Sequence, residues 1–165
     1  MPALGHRAPG LVGAALESPD VLVELIADGV HVHPTMCRLV LALKGPDGVM
    51  AITDGTACTG LPPGSAASLG GRRIHVRADR AELDDGTLAG SVATMNRVFE
   101  TLVVGCGASL LEAARVCATT PARALGLTDR GVLSDGAVAD VVVLDSAFAV
   151  RATLVDGILA HDGRG

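Results

Sequence analysis

Val49-Met50-Ala51-Ile52-Thr53-Asp54-Gly55-Thr56 runs from four apolar residues straight into a carboxylate and a glycine. A run of this kind predicts a buried parallel strand that ends with Asp54 in a loop. In barrel enzymes the C-terminal ends of the strands are where the loops gather and where catalytic side chains are placed. Upstream, the apolar stretch Leu22 to Ala27 ends the same way, in Asp28-Gly29-Val30-His31-Val32-His33. Between the two, Pro34 suits the first turn of a helix, where its missing N–H costs nothing. Met36, Leu39, Val40 and Leu43 then predict one apolar helical face, with Gly45 as the stop. Strand, helix and strand over roughly 33 residues make a right-handed crossover unit of a parallel sheet. Asp54 and His31 are therefore the first candidates for chemistry.

Outside this unit the signals are less uniform. Residues 1–20 are rich in Gly, Pro and Ala, and Gly5-His6-Arg7-Ala8-Pro9-Gly10 predicts a loop. Residues 55–68, heavy in Gly, Pro, Ser and Thr, predict a long loop suited to covering a site, or a plain surface loop. Arg73 to Val76 and Ala81 to Leu83 predict a short hairpin carrying a solvated arginine cluster. Val92, Met95, Phe99 and Leu102 fall at helical spacing in 91–104, and Ser109-Leu110-Leu111-Glu112 is a capping box opening another helix. Thr120-Pro121-Ala122-Arg123 begins a short third helix. The tail turns to strands, Ala139 to Asp145, Arg151 to Val155 and Ile158 to His161, with Asp156-Gly157 as a tight turn. A boundary near 131–136 then separates an α/β part, residues 1–130, from a small β part, residues 131–165.

Composition narrows the function classes. The chain has 165 residues, 49% apolar, so it can bury a core and disorder is excluded. Phe99 and Phe148 are its only aromatic residues and its formal charge is −5. It therefore has neither the stacking platforms nor the basic footprint of a nucleic-acid binder. No apolar run reaches the roughly 18 residues of a membrane span, and a cytoplasmic, soluble protein is the expectation. Cys37, Cys58, Cys106 and Cys117 form no C-x-x-C pair and predict buried free thiols. His31 and His33, two apart, would share one face of a strand, and that pair is the one metal-site candidate the histidines offer.

Several segments together resemble the N-acetylglucosamine-6-phosphate deacetylase family of the amidohydrolase superfamily. They are Ile26-Ala27-Asp28-Gly29-Val30-His31-Val32, Thr53-Asp54-Gly55-Thr56, Gly86-Thr87-Leu88-Ala89-Gly90-Ser91 and Thr120-Pro121-Ala122-Arg123-Ala124-Leu125-Gly126. Met1-Pro2 and Arg7-Ala8-Pro9-Gly10 match at the appropriate intervals, and the closing stretch from Gly131 to Asp145 is shared more widely in the superfamily. The resemblance implies an α/β fold: the last strands and helices of a (β/α)8 TIM barrel, plus C-terminal strands of a small β domain. It implies hydrolysis of the acetamide of N-acetyl-D-glucosamine 6-phosphate with the help of a divalent metal of the zinc or iron type, in a homodimer. By position, Asp54 matches the carboxylate that activates water and then protonates the leaving amine. His31 matches a substrate-binding histidine supported by Asp28, Gly29 and Val30. Arg7 matches the residue that grips the 6-phosphate, and Leu88, Ala89 and Gly90 match a substrate-contacting loop.

The resemblance also sets a tension. A full barrel takes about 250 residues, and the family's metal ligands, a glutamate and two histidines, match nothing in this sequence. The expectation is an incomplete form, inactive and self-associating alone, and co-expression with an upstream half tests whether activity returns by complementation. Non-catalytic alternatives are an assembly module or gene remnant, and another enzymatic one is an amidohydrolase acting on a cyclic amide, which has no need of a phosphate-gripping Arg7.

Overall fold

A computed structural model of the chain describes residues 3–163; Met1 and Pro2, part of the resemblance above, lie outside the described residues. The crossover unit forms as the sequence predicts. Strand β1 (Val23–Ile26) leads through helix α2 (Pro34–Lys44) to strand β2 (Val49–Ile52), and the strands pair in parallel with Leu25 opposite Ala51. Pro34 occupies the first turn of α2, and Gly45 ends it with φ 63°. The inward face of α2 differs from the expectation. Cys37 and Val40 are buried, whereas Leu39 and Leu43 are exposed, so the stripe is rotated towards Cys37. Thiols are apolar enough to fill a core position, and the Met36/Leu39/Val40/Leu43 spacing leaves Cys37 out.

The stretch after the predicted loop of Gly5 to Gly10 holds an element that the sequence does not announce. Gly10–Glu17 is helix α1, although none of its residues is buried. Its C-terminal carbonyls of Ala15 and Ser18 accept hydrogen bonds from Lys44 Nζ at the end of α2, a cation placed where the helix dipole is negative. Arg7 stays in the loop before it.

A larger correction concerns residues 66–91. The predicted hairpin, β4 (Arg72–Arg77) and β5 (Arg80–Leu83), is the middle of a four-stranded antiparallel sheet whose outer strands are β3 (Ala66–Leu69) and β6 (Leu88–Ser91). Leu88, Ala89 and Gly90 are therefore strand residues and not a loop. Each outer strand has only four residues, too few for alternation to show. Ile74, Val76, Ala81 and Ala89 bury a small core of their own around Cys58.

The helical layer follows. Helix α3 (Met95–Glu100) widens into a π-turn over Thr101–Gly105. Helix α4 (Leu110–Ala114) runs through a second π-turn, Arg115–Thr119, into α5 (Thr120–Ala124). The capping box at Ser109 is present in both directions: its hydroxyl oxygen accepts from Glu112 N and its own N–H donates to Glu112 Oε2. Arg115 and Arg123 both donate to Asp47, and Thr120 Oγ1 donates to Pro46 O at 2.7 Å, fastening this helix to the turn before β2. The main core is the contact of β1 and β2 with these helices, through Leu25, Val49, Ala51, Val98, Leu102 and Val116.

The tail is a three-stranded antiparallel sheet of β7 (Val141–Leu144), β8 (Val150–Val155) and β9 (Ile158–Asp162). Asp156 and Gly157, at φ 52° and 75°, make the tight turn between β8 and β9.

Candidate functional site

Three strand ends meet at Ser91. Its backbone N–H donates to Asp54 O at 3.0 Å, in a parallel bridge that sets the end of β6 beside the end of β2. Its hydroxyl donates to Asp28 Oδ2 at 2.7 Å, just past the end of β1, and accepts from Ala93 N at 3.0 Å. Ser91 is fully buried. The sequence gives no sign of this role, because Asp28 lies 63 residues upstream and nothing local in Leu-Ala-Gly-Ser announces a pairing with it.

Asp28 is the most fully engaged side chain of the cluster. Its Oδ1 accepts from the backbone N–H groups of Val30 and His31, both at 2.9 Å. Its Oδ2 accepts from Ser91 Oγ and lies within hydrogen-bond distance of His31 Nδ1, both at 2.7 Å. Burial works against the charge of this carboxylate, and the donors from His31, Ser91 and Val30 outweigh it, so the Asp28 carboxyl lies below its ordinary range. Its side chain is only 1% exposed. With all four acceptor positions used within the chain, Asp28 holds His31 and has none left for a ligand.

His31 is half-buried, and its Nε2 has no hydrogen-bond partner among the described residues. His33, which the sequence pairs with His31 as a metal candidate, turns instead to the start of α2, where its Nδ1 accepts from Thr35 N at 3.2 Å. Asp54 is exposed and sits at φ 51°, a left-handed conformation that aspartate tolerates better than most residues. Gly90 lies against it: with φ 79°, a Cβ there would come 2.4 Å from Thr56 Cγ2 and 2.9 Å from Asp54 O. Arg7 is exposed and makes no hydrogen bond or ion pair among the described residues. Asp28, His31, Ser91, Gly90 and Asp54 are thus brought together, and no contact ties Arg7 to them.

Two of the thiols, Cys37 and Cys117, offer no nucleophile. Burial pushes Cys37 up to about 12, with Cys106 beside it, and burial alone does the same to Cys117, so a thiolate is inaccessible at neutral pH. A cleft of about 770 Å³ lies elsewhere, between α3, the α4–α5 helix and the β7–β8 sheet, and is lined by Phe99, Leu111, Val132 and Val142 among others. No group of three His, Cys, Asp or Glu that could hold a metal ion occurs among the described residues. The described residues thus do not fit a metal by themselves. Among them, too, no helix is long and apolar enough to cross a membrane.

Comparison with known proteins gives the following. Residues 77–160 match the model of the amidohydrolase family. N-acetylglucosamine-6-phosphate deacetylases of Lysinibacillus sphaericus and Bacillus subtilis (strain 168) are 35% and 36% identical over 92% and 94% of the chain, which spans 39% of their length. A relative from Escherichia coli (strain K12), whose name assigns it provisionally to N-acetylgalactosamine-6-phosphate deacetylation, is 35% identical over 97% of this chain and 95% of its own length. Among solved structures, the Thermotoga maritima N-acetylglucosamine-6-phosphate deacetylase is 35% identical with a TM-score of 0.88, over 97% of this chain and 44% of that one. That of Mycobacterium smegmatis, solved in complex with N-acetyl-D-glucosamine-6-phosphate, is 41% identical with a TM-score of 0.89, over 96% and 42%.

Proposed function

From the chain's place in the amidohydrolase family, to which it belongs, we propose that it supplies the proton-handling and substrate-facing part of a sugar-phosphate N-deacetylase. The substrate read here is N-acetyl-D-glucosamine 6-phosphate, hydrolysed to glucosamine 6-phosphate and acetate. The names of the relatives support this reading, and so does one observation: an exposed Asp54 at a strand end, joined through Ser91 to a His31 whose Nε2 is free.

In this reading, residues 1–130 derive from the late strands and helices of a (β/α)8 barrel and 131–165 from a small β domain. The parallel β1–β2 pair and the separate β7–β9 sheet support that division. The Asp54 carboxylate takes a proton from water as the oxygen attacks the acetamide carbon, then gives it to the amine nitrogen as the C–N bond breaks. His31 Nε2 meets a polar group of the sugar, and Gly29, at φ 81°, supplies the left-handed turn between Asp28 and His31. The Arg7 guanidinium suits a phosphate through two charge-assisted hydrogen bonds. Family members generally use a divalent metal; the described residues do not assemble its ligands, and no step here is drawn through one. The partners read here are a small sugar phosphate, an upstream half that brings the metal ligands in trans, and a second copy in the homodimer of the full-length family.

A chimera tests this. The chain is grafted in place of the matching segment of the Bacillus subtilis relative, and release of glucosamine 6-phosphate is measured beside the galactosamine epimer. The expected result is turnover by the chimera and a loss of roughly 10²–10⁴-fold on Asp54→Asn, the usual contribution of a positioned acid–base group. Turnover indifferent to Asp54→Asn would remove the reading. A chimera that hydrolysed unphosphorylated cyclic amides instead would point to the other amidohydrolase chemistry.

A further inference from the structure

We propose that Ser91 is a positioning residue that fixes the tautomer of His31 through Asp28. The proposal rests on His31 being the substrate-facing histidine of the reading above and deepens it.

The chain of donors has only one direction. Ala93 N–H donates to Ser91 Oγ at 3.0 Å, which leaves the single hydroxyl hydrogen of Ser91 to point to Asp28 Oδ2 at 2.7 Å. That oxygen has one further acceptor site, and His31 Nδ1 fills it at 2.7 Å. The other oxygen is taken by the N–H groups of Val30 and His31. Three donors aimed at Asp28, two backbone N–H groups and the Ser91 hydroxyl, favour the ionised carboxylate, which can only accept at its fourth position. The proton between Asp28 and His31 therefore sits on Nδ1, and the neutral ring presents Nε2 as a bare lone pair. A second-sphere carboxylate that holds an imidazole by one nitrogen commonly sets what the other can do. Here the other nitrogen becomes a hydrogen-bond acceptor, fitted to a hydroxyl donor of the ligand.

Ser91 is what makes the arrangement rigid. Without its hydroxyl, Asp28 Oδ2 keeps a free lone pair, the carboxylate can turn, and water can compete for Nδ1. Ser91 is also the residue that ties the end of β6 to Asp54 O. One buried side chain thus sets the geometry of His31 while its backbone anchors the strand end that carries Asp54.

The test reads the tautomer directly. In the uniformly ¹⁵N-labelled chain, long-range ¹H–¹⁵N correlation at pH about 8.5, where an ordinary imidazole is neutral, distinguishes protonated from bare ring nitrogens. His31 is assigned by its loss in His31→Gln. The expected wild-type pattern is a protonated Nδ1 and a bare Nε2. Asp28→Asn is expected to move the proton to Nε2, Ser91→Ala to lose the single-tautomer pattern, and Ser91→Thr, which keeps a hydroxyl, to retain it.

A wild-type His31 protonated on Nε2 overturns the proposal whatever the variants do, so misfolding of a variant cannot shelter it. Ser91→Ala with an unchanged pattern, or a folded Ser91→Thr without it, removes the role of the hydroxyl. The measurement uses no substrate. Failure of the deacetylase reading therefore leaves this result standing, and the reverse also holds.

Discussion

The β1–β2 pair and the β7–β9 sheet are both made of short apolar strands, yet they are stabilised in opposite ways. In the first, Leu25, Val49 and Ala51 are buried against Val98, Leu102 and Val116 of the helices. In the second, no residue of the three strands is fully buried, and Val142, Val155, Ile158 and Leu159 are all more than half exposed. The first region carries its core within itself, whereas the second presents an apolar surface that calls for a cover. The candidate site sits on the self-sufficient side. Asp28, Asp54 and Ser91 are placed by strands whose positions do not depend on the tail, which is what a site needing fixed geometry requires.

The sharpest way to break the comparison is to remove core volume. Leu102 is fully buried where the helical layer meets β1 and β2. Leu102→Ala should cost about 2–5 kcal/mol, the range for a deleted buried leucine, read as a shift of the denaturant midpoint. A loss below about 1 kcal/mol would mean that this layer is not the stabilising unit.

Next in size is Gly90→Ala. Its positive φ and the approach to Thr56 Cγ2 and Asp54 O combine backbone strain with a collision that backbone must relieve. The expected cost is roughly 1–3 kcal/mol. Because one of the two obstructing atoms is the backbone oxygen of Asp54, the chimera should lose activity in excess of its loss of stability. Equal losses would place Gly90 among purely structural residues.

Much of this was legible beforehand, and what was missed shares a cause. The crossover unit could be read because its signals are local: an apolar run, Pro34 at a helix start, Gly45 at its end. The Ser109–Glu112 capping box and the Asp156-Gly157 turn were legible for the same reason. Helix α1 was not, since Gly10, Gly13 and Pro9 argue for a loop and none of its residues is buried to give a stripe. Strand β6 is not legible because Leu-Ala-Gly-Ser is too short to show alternation, and only pairing with β5 and the end of β2 defines it. Asp28 and His31 lie three residues apart in the sequence and touch in the fold, but the division of labour between them depends on Ser91, which only the fold brings near.

A pH titration sharpens the contrast further. Asp28 has a folded pKa below its ordinary 3.8. Such a carboxylate contributes stability that is fully present above the unfolded value and is lost as pH falls through the folded one. Stability of the chain should therefore decline below pH about 4, and Asp28→Asn should flatten that part of the acid limb in urea unfolding. An acid limb of unchanged slope would show that the four donors hold Asp28 no more firmly folded than unfolded.

The smallest effect belongs to the tail. Ile158 opens β9, an outer strand, and is 72% exposed. Ile158→Thr keeps the β-branched shape that a strand favours, so the stability of the isolated chain should change by no more than about 0.5 kcal/mol. Its self-association should nevertheless fall, because an apolar outer strand with unpaired backbone groups is a template for pairing with another chain. Sedimentation velocity at rising concentration separates the two quantities. A chain that became much less stable but associated as before would show that β9 already has its cover within the fold, and the distinction between the two sheets would then disappear.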